Sequence, residues 1–273
     1  MTIPFASRPI GSDDFVARMT NDMTTTGWHF HKAHDATIDK YQVLGERGCG
    51  TNIVRKSMQT SLKIMRTEAL GWKHSFPFMV AIPPSFLVVC AVRNASDWAR
   101  SFYKRPWHSN PRLQALDFPT FIRTPWESIV DKVGFFEHIN PDLDYAEQEI
   151  QWERHPITGE RFENIFAMRN LKHRALLSMR ARGASVAYVR LDAFNANPEG
   201  FLADLAAEFS LMPTKHGYSP EKRRMGNNWK KSTAHRAPLP ETWSKEDGDW
   251  MNSQLDHDLE EILGFGRNAQ PRP

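Results

Sequence analysis

Of 273 residues only two are cysteine, Cys49 in a Gly-rich turn and Cys90 in an apolar run, so no disulfide framework organises the chain. Both suit small buried side chains in a reducing compartment. No segment approaches the ~20 consecutive apolar residues of a membrane span. The opening MTIPFASRPIGSDDF lacks the basic-then-apolar layout of a secretion signal. A soluble, cytoplasmic protein without a membrane span is the expectation. Charge of one sign is missing too: 35 Lys and Arg against 32 Asp and Glu leave a formal net charge of +3, too even for a protein that coats nucleic acid. Any positive field must be local, which suits an anionic small molecule. Internal repeats and low-complexity tracts are also lacking. With 40% hydrophobic residues the chain can bury a real core, and one domain over 1–273 is the simplest organisation.

What the sequence does have is an alternation of short apolar runs and helical patterns. Strand character falls at Tyr41 to Leu44, Ala69 to Lys73, Phe86 to Val92 and Ser185 to Leu191. The third, FLVVCAV, is apolar throughout, as in a strand covered on both faces. Helical patterns cover Asn52 to Arg66, Ser96 to Lys104, Glu163 to Arg182, Pro198 to Ser210 and a C-terminal stretch around Glu241 to Leu263. Asn197 is an N-cap for the fourth, with Pro198 in its first turn. This order predicts an α/β fold of three α/β/α layers around a central parallel sheet, with ligand at the carboxyl ends of the strands. Residues 1–38 read as an N-terminal arm, 104–161 as an irregular insert rich in Pro, Trp and His that shapes an acceptor pocket, and 264–273 as a tail. In the arm, His29, His31, His34 and Asp35 lie close together, but their spacing matches no standard zinc pattern and no Cys is near.

One absence is chemical. QVLGERGCGTNIVRK (42–56) runs from a strand through a Gly-rich turn into a helix, yet Thr51 and Asn52 stand where an ATP loop carries Lys and a magnesium-binding Ser or Thr. Magnesium-dependent ATP chemistry is disfavoured. The anion-binding core of such a loop remains: Gly48 and Gly50 allow close backbone approach, the next helix offers free N–H groups, and Arg47 and the Thr51 hydroxyl add charge and a hydrogen bond. At the end of the third strand stands Arg93, with Ser101 eight residues on in the following helix. Together they can grip one phosphate from two sides.

On these motifs the chain resembles the sulfotransferase superfamily that uses 3'-phosphoadenosine 5'-phosphosulfate as donor. ERGCGTN is similar to its basic-Ser-Gly-Thr turn, RNASDWARS to its Arg-to-Ser signature at Arg93, Asn94, Asp97 and Ser101, and RMGNNWK to its late loop, at Arg224, Gly226, Trp229 and Lys230. AYVRLDAF and PEGFLADLAAEF resemble its last core strand and helix, and the order holds over most of 40–231. The resemblance implies the P-loop-like sulfotransferase fold, with Arg47, Gly48, Cys49, Gly50, Thr51 and Asn52 around the 5'-phosphosulfate. Arg93, Ser101, Arg224 and Gly226 then serve the 3'-phosphate region. It implies no metal and 3'-phosphoadenosine 5'-phosphate as product. In LGWKHSFP it points to His74 as general base, and it leaves Lys73 or Arg47 as the cation at the leaving group; His108, which follows Trp107 in the insert, competes as the base.

Departures are visible: Gly48 where members carry a basic residue, Cys49 for Ser, Ile53 for an adenine-stacking Trp, and Leu191 for a Tyr near the phosphate. Aromatic and basic residues of the insert, among them Trp107, Trp126, Trp152 and His155, suit a carbohydrate or small hydroxylated acceptor. Acceptor identity and oligomeric state stay open. The alternatives are a P-loop nucleotide kinase or triphosphatase, and a nucleotide-binding protein of the same fold without activity.

Overall fold

The computed structural model describes residues 11–136, 140, 142–222 and 237–266. It opens with α1 (Asp13–Thr25) and β1 (Trp28–His31), then β2 (Lys40–Leu44), α2 (Thr51–Ser61) and the two-residue β3 (Met65–Arg66). β4 (Phe86–Val92) leads into α3 (Ala95–Lys104), and the insert contributes short helices α4 (Pro111–Gln114) and α5 (Phe118–Arg123). α6 (Ile165–Leu177), β5 (Ser185–Arg190), α7 (Leu191–Ala196), α8 (Pro198–Phe209), α9 (Lys245–Gln254) and α10 (His257–Ile262) complete the fold.

The sheet has the order β1-β5-β4-β2-β3, with β1 antiparallel to β5 and the other pairs parallel. It is therefore mixed, not the all-parallel sheet the alternation predicts. β4 sits near the middle and is buried along its whole length. Its side chains alternate: Leu87, Val89 and Ala91 join Val54 and Met58 of α2 and Leu202 and Leu205 of α8, while Val88, Cys90 and Val92 join Phe15, Met19 and Met23 of α1 and Leu259 and Ile262 of α10. Each buried Val, Leu, Ile, Met or Phe among them contributes roughly 1.5–3 kcal/mol by leaving water. Helices thus cover both faces. A third cluster, centred on Trp98, Phe102, Phe121 and Phe166, fastens the insert to α3, α6 and α9.

Strand order fixes where a ligand can enter. From β2 the chain crosses outward to β3, then returns to β4 on the other side of β2 and moves on to β5. The connections leaving β2 and β4 therefore diverge in opposite directions, opening a crevice at their carboxyl ends. The Gly-rich loop follows β2 and Arg93 follows β4.

Several expected elements differ. Residues 13–31 of the expected N-terminal arm are built into the fold: α1 buries Phe15, Met19 and Met23, and Trp28 of β1 pairs with Val189. Ala69 to Lys73 is not a strand. There Gly71 turns at φ +94, and the side chain of Gln42 accepts from Leu70 N (2.9 Å) and donates to Gly71 O (2.7 Å), so a side chain replaces the ladder. α2 stops at Ser61 because Leu62 turns extended and bridges Pro213. α6 begins after Asn164, which caps Phe166 and Ala167, and a separate 3-10 turn, Arg180–Arg182, ends at left-handed Gly183. The strand ends at Arg190, with Leu191 already helical. The C-terminal helix is two: Leu255 is extended and Asp256 caps α10. The histidines of 29–34 are structural, with His29 Nδ1 2.7 Å from Asp22 Oδ2 and His34 Nε2 donating to Gly183 O at 2.7 Å. No helix among the described residues is long and apolar enough to cross a membrane.

Candidate anion site at the sheet crevice

Backbone geometry makes the Gly-rich loop. Gly48 (φ +81) and Gly50 (φ +85) occupy the left-handed region, and a side chain would also crowd them: a Cβ on Gly50 would lie 2.3 Å from Leu191 Cδ1, and one on Gly48 would lie 3.3 Å from Ser101 Oγ. Gly50 is the N-cap of α2 and offers no side-chain cap. Its carbonyl takes the N–H groups of Ile53 and Val54, so those of Thr51 and Asn52 find no acceptor among the described residues. They are available to an anion, at the positive end of an 11-residue helix.

The β4 side meets this loop. Arg93 Nη1 donates to Gly48 O at 3.1 Å, and Arg93's own carbonyl is held by Arg169 Nη2 at 2.9 Å. Arg169 is fully buried against Glu260. Asn94 caps α3 by accepting from Asp97 N at 2.8 Å, which starts the helix that carries Ser101 beside Gly48. Thr51, Asn52, Arg93 and Ser101 consequently line one cavity of about 620 Å³ together with Gly48, Gly50, Lys73 and His74. The charged side chains lining it, among the described residues, are all basic: Arg47, Lys73, Arg93, Arg105 and Lys222. In a chain so evenly charged overall, this is the local positive field an anionic ligand needs.

Two residues of the loop do not serve as the sequence suggests. The Cys49 thiol points away into the cluster around Trp98, fully buried, and burial, with help from Glu46, pushes its pKa up to about 12. It is a packing residue. Arg47 borders the cavity, but its guanidinium is 3% exposed and committed inward. Nη2 reaches Glu153 Oε1 at 2.5 Å, Nη1 donates to Trp107 O at 3.2 Å, and the group lies over the rings of Phe102, Trp126 and Trp72. Glu46, Glu153 and Lys172 complete a buried quartet, with Lys172 Nζ 2.7 Å from Glu46 and 2.5 Å from Glu153. Burial alone would raise the Glu153 carboxyl, but Arg47 and Lys172 hold it well below the ordinary carboxylate range. Arg47 is thus a strut joining the loop, α6 and the insert. Of the two proposed leaving-group cations, Lys73 is the better placed, its Nζ 2.7 Å from Asn52 Oδ1 at the start of α2. Arg224 and Gly226, with Trp229 and Lys230, lie outside the described residues.

Opposite the loop, Trp72 stands between two histidines, edge-on to His74 at 5.4 Å and to His108 at 5.7 Å. His74 Nδ1 is 2.6 Å from Gly45 O, and since a carbonyl can only accept, that nitrogen carries the proton and Nε2 holds the lone pair. Burial, then the charges of Lys73 and Arg47, push His74 well below its ordinary pKa, so it is neutral at physiological pH. His108 Nδ1 is 2.6 Å from Asp131 Oδ1. Trp107 and Phe135 of the insert line the same cavity. Trp72, Arg105, Phe135, Asn195, Lys222 and Asp131 belong to this site without any spacing that signals them, because each reaches it through the tertiary fold.

Below the site, His173 on α6 is fully buried, and neither ring nitrogen has a partner among the described residues. Burial, Arg169 and Lys172 lower its pKa well below the usual value. The unfolded chain therefore binds a proton below about pH 6.5 that the folded chain refuses. Stability from this group is complete above that pH and falls by about 1.4 kcal/mol per pH unit below it. Urea unfolding between pH 5 and 8 should show this acid slope, and His173→Phe should reduce it; an unchanged slope in the variant contradicts the assignment. No family model, curated protein or solved structure matches the chain.

Proposed function

We propose that the chain is a sulfotransferase, moving the sulfuryl group of 3'-phosphoadenosine 5'-phosphosulfate to a hydroxyl or amine of a small-molecule or carbohydrate acceptor. The observation that carries this reading is the convergence of Thr51, Asn52, Arg93 and Ser101 on one basic cavity at the diverging ends of β2 and β4. Two separated anion-binding elements suit a nucleotide with one anion on its 5' side and another on its ribose. The free N–H groups of the loop take the 5' end, and Arg93 with Ser101 takes the 3'-phosphate; Arg224 and Gly226 join them by the resemblance of the late loop. Sulfuryl transfer, like phosphoryl transfer, is mostly positioning and charge neutralisation. Lys73 meets the charge that builds on the leaving phosphate, while an imidazole on the Trp72 side takes the proton released by the acceptor. Trp72, Trp107 and Phe135 supply the flat apolar walls that hold that acceptor.

A thermal-shift comparison tests the reading. Saturating 3'-phosphoadenosine 5'-phosphate at about 100 times its Kd stabilises the folded state by about 2.7 kcal/mol, a rise of several degrees, whereas magnesium and ATP leave Tm in place. Arg93→Ala removes a charge-assisted contact and should weaken the nucleotide by about 10- to 100-fold. A shift with magnesium and ATP alone would instead favour a nucleotide kinase or triphosphatase. Binding of 3'-phosphoadenosine 5'-phosphate without any turnover of its phosphosulfate would favour an inactive nucleotide-binding protein.

A further inference from the structure

We propose that His108, oriented by Asp131, is the base that takes the acceptor's proton in the sulfuryl transfer proposed above, on which this assignment rests. Asp131 then acts as a positioning residue through His108. Three features of geometry converge. First, His108 has φ 62, a left-handed backbone that a bulky side chain adopts at a cost. The surroundings hold it there: Ile129 N donates to His108 O at 2.7 Å, Ser109 Oγ to Pro106 O at 2.7 Å, and Gln114 Nε2 to Ser109 O at 3.0 Å. Second, the 2.6 Å contact to Asp131 fixes the proton on Nδ1 and leaves the lone pair on Nε2. Third, the ring lines the same cavity as Thr51 and Ser101, walled by Trp72, Phe135 and Phe136, the last at 5.0 Å.

His74 has a different environment. Its Nδ1–H faces the Gly45 carbonyl, which carries no charge, and Lys73 and Arg47 oppose a positive ring. Among the described residues, the charged groups around His108 are Asp131, the neighbouring Lys132 whose Nζ lies over Phe135, and the cavity-lining Arg47, Lys73, Arg93, Arg105 and Lys222, with His74 across Trp72. Asp131 alone among them is anionic and touches the ring. Burial would raise its carboxyl, but the hydrogen bond and charge of His108, with Lys132, keep it below the ordinary range, so it stays ionised to steady an imidazolium.

The step balances. The acceptor O–H bond breaks as its oxygen forms a bond to sulfur, the proton passes to His108 Nε2, and the bond between sulfur and the bridging oxygen breaks with its electron pair going to the nucleotide phosphate. The imidazolium, held beside Asp131, later loses the proton to water.

The test uses the full-length protein with water and, separately, 2-naphthol as acceptor probes, following release of 3'-phosphoadenosine 5'-phosphate and its binding by thermal shift. His108→Asn keeps an N–H toward Asp131 and suits the left-handed backbone, so it removes Nε2 while preserving the fold. It should lower kcat by at least about 100-fold and leave the nucleotide-induced shift intact. Asp131→Asn should lower kcat and move the acidic limb of the pH–rate profile to lower pH, and Asp131→Glu should restore most of both. Should H108N fail to fold, the two Asp131 variants decide alone. The proposal is overturned if H108N keeps kcat within threefold of wild type, or if the acidic limb persists in H108N and disappears in His74→Asn. Wild-type protein that binds the nucleotide yet releases none from its phosphosulfate also overturns it. Wild-type protein that neither binds nor turns over sinks the sulfotransferase reading itself.

Discussion

Glu153→Ala is expected to destabilise the fold by about 3–5 kcal/mol, the largest effect of any single change in the site. Glu153 is 3% exposed, and its two oxygens serve three donors: Arg47, Lys172 and the Trp126 indole at 3.1 Å. Removing it leaves Arg47 and Lys172 to share one buried carboxylate, Glu46, whose contact with Arg47 Nε is 3.4 Å. A cation stranded without water is costly, so the variant suffers the desolvation of charge with half the compensation. Urea unfolding near pH 7 should show the loss directly. Adding Lys172→Met to Glu153→Ala deletes the orphaned cation and should recover part of it, a coupling only contacting residues show. A loss below about 1 kcal/mol would mean the quartet is reached by water. The effect has a pH signature as well. Because the folded carboxyl is held below its ordinary value, its stabilisation is present above about pH 4.5 and vanishes as pH falls, so Glu153→Ala should also blunt acid unfolding in that window. The quartet anchors Arg47 at the start of the Gly-rich turn, so loop geometry and stability fail together.

The same quartet shows where sequence reasoning ended. The loop's glycines, the Arg93-to-Ser101 spacing and the strand Phe86–Val92 are local features, and the structure brings Thr51 and Ser101 to one cavity as their order implies. The direction of Arg47 is not local. Its partner Glu153 lies 106 positions away in the insert, and no periodicity links them. For the same reason Asp131 is invisible as a partner of His108, 23 positions apart across an irregular stretch. The N-terminal segment failed differently. Phe15, Met19 and Met23 recur at a helical spacing, but the histidine-rich run beyond them suggested exposure, whereas His29 is buried, paired with Asp22 and stacked on Tyr188 at 6.4 Å. Ala69 to Lys73 looked like a strand because its residues suit one. The competing contacts of the Gln42 side chain, which only tertiary structure supplies, prevented it.

Lys73→Met should lower kcat for turnover of 3'-phosphoadenosine 5'-phosphosulfate by about 10²- to 10³-fold while changing nucleotide affinity far less. The backbone of Lys73 is pinned where Gly45 N donates to Lys73 O at 3.0 Å, and its ammonium donates to Asn52 Oδ1 at 2.7 Å, next to the free N–H groups of α2. A charge fixed beside the 5' phosphate acts most strongly when negative charge builds on the departing oxygen, since the half-open crevice screens it less than bulk water does. Arg47, whose charge is already answered by Glu153 and Glu46, has little left to give that oxygen. Methionine keeps the stem's bulk and removes the charge alone. Lys73→Arg, by contrast, should retain measurable turnover. The decisive comparison sets K73M beside Arg47→Lys: if K73M works within threefold of wild type while folded R47K is inactive, the leaving group is steadied by Arg47 after all. If K73M alone is slow and binds product normally, the cation that completes the reaction stands on the connection before His74, outside the Gly-rich loop.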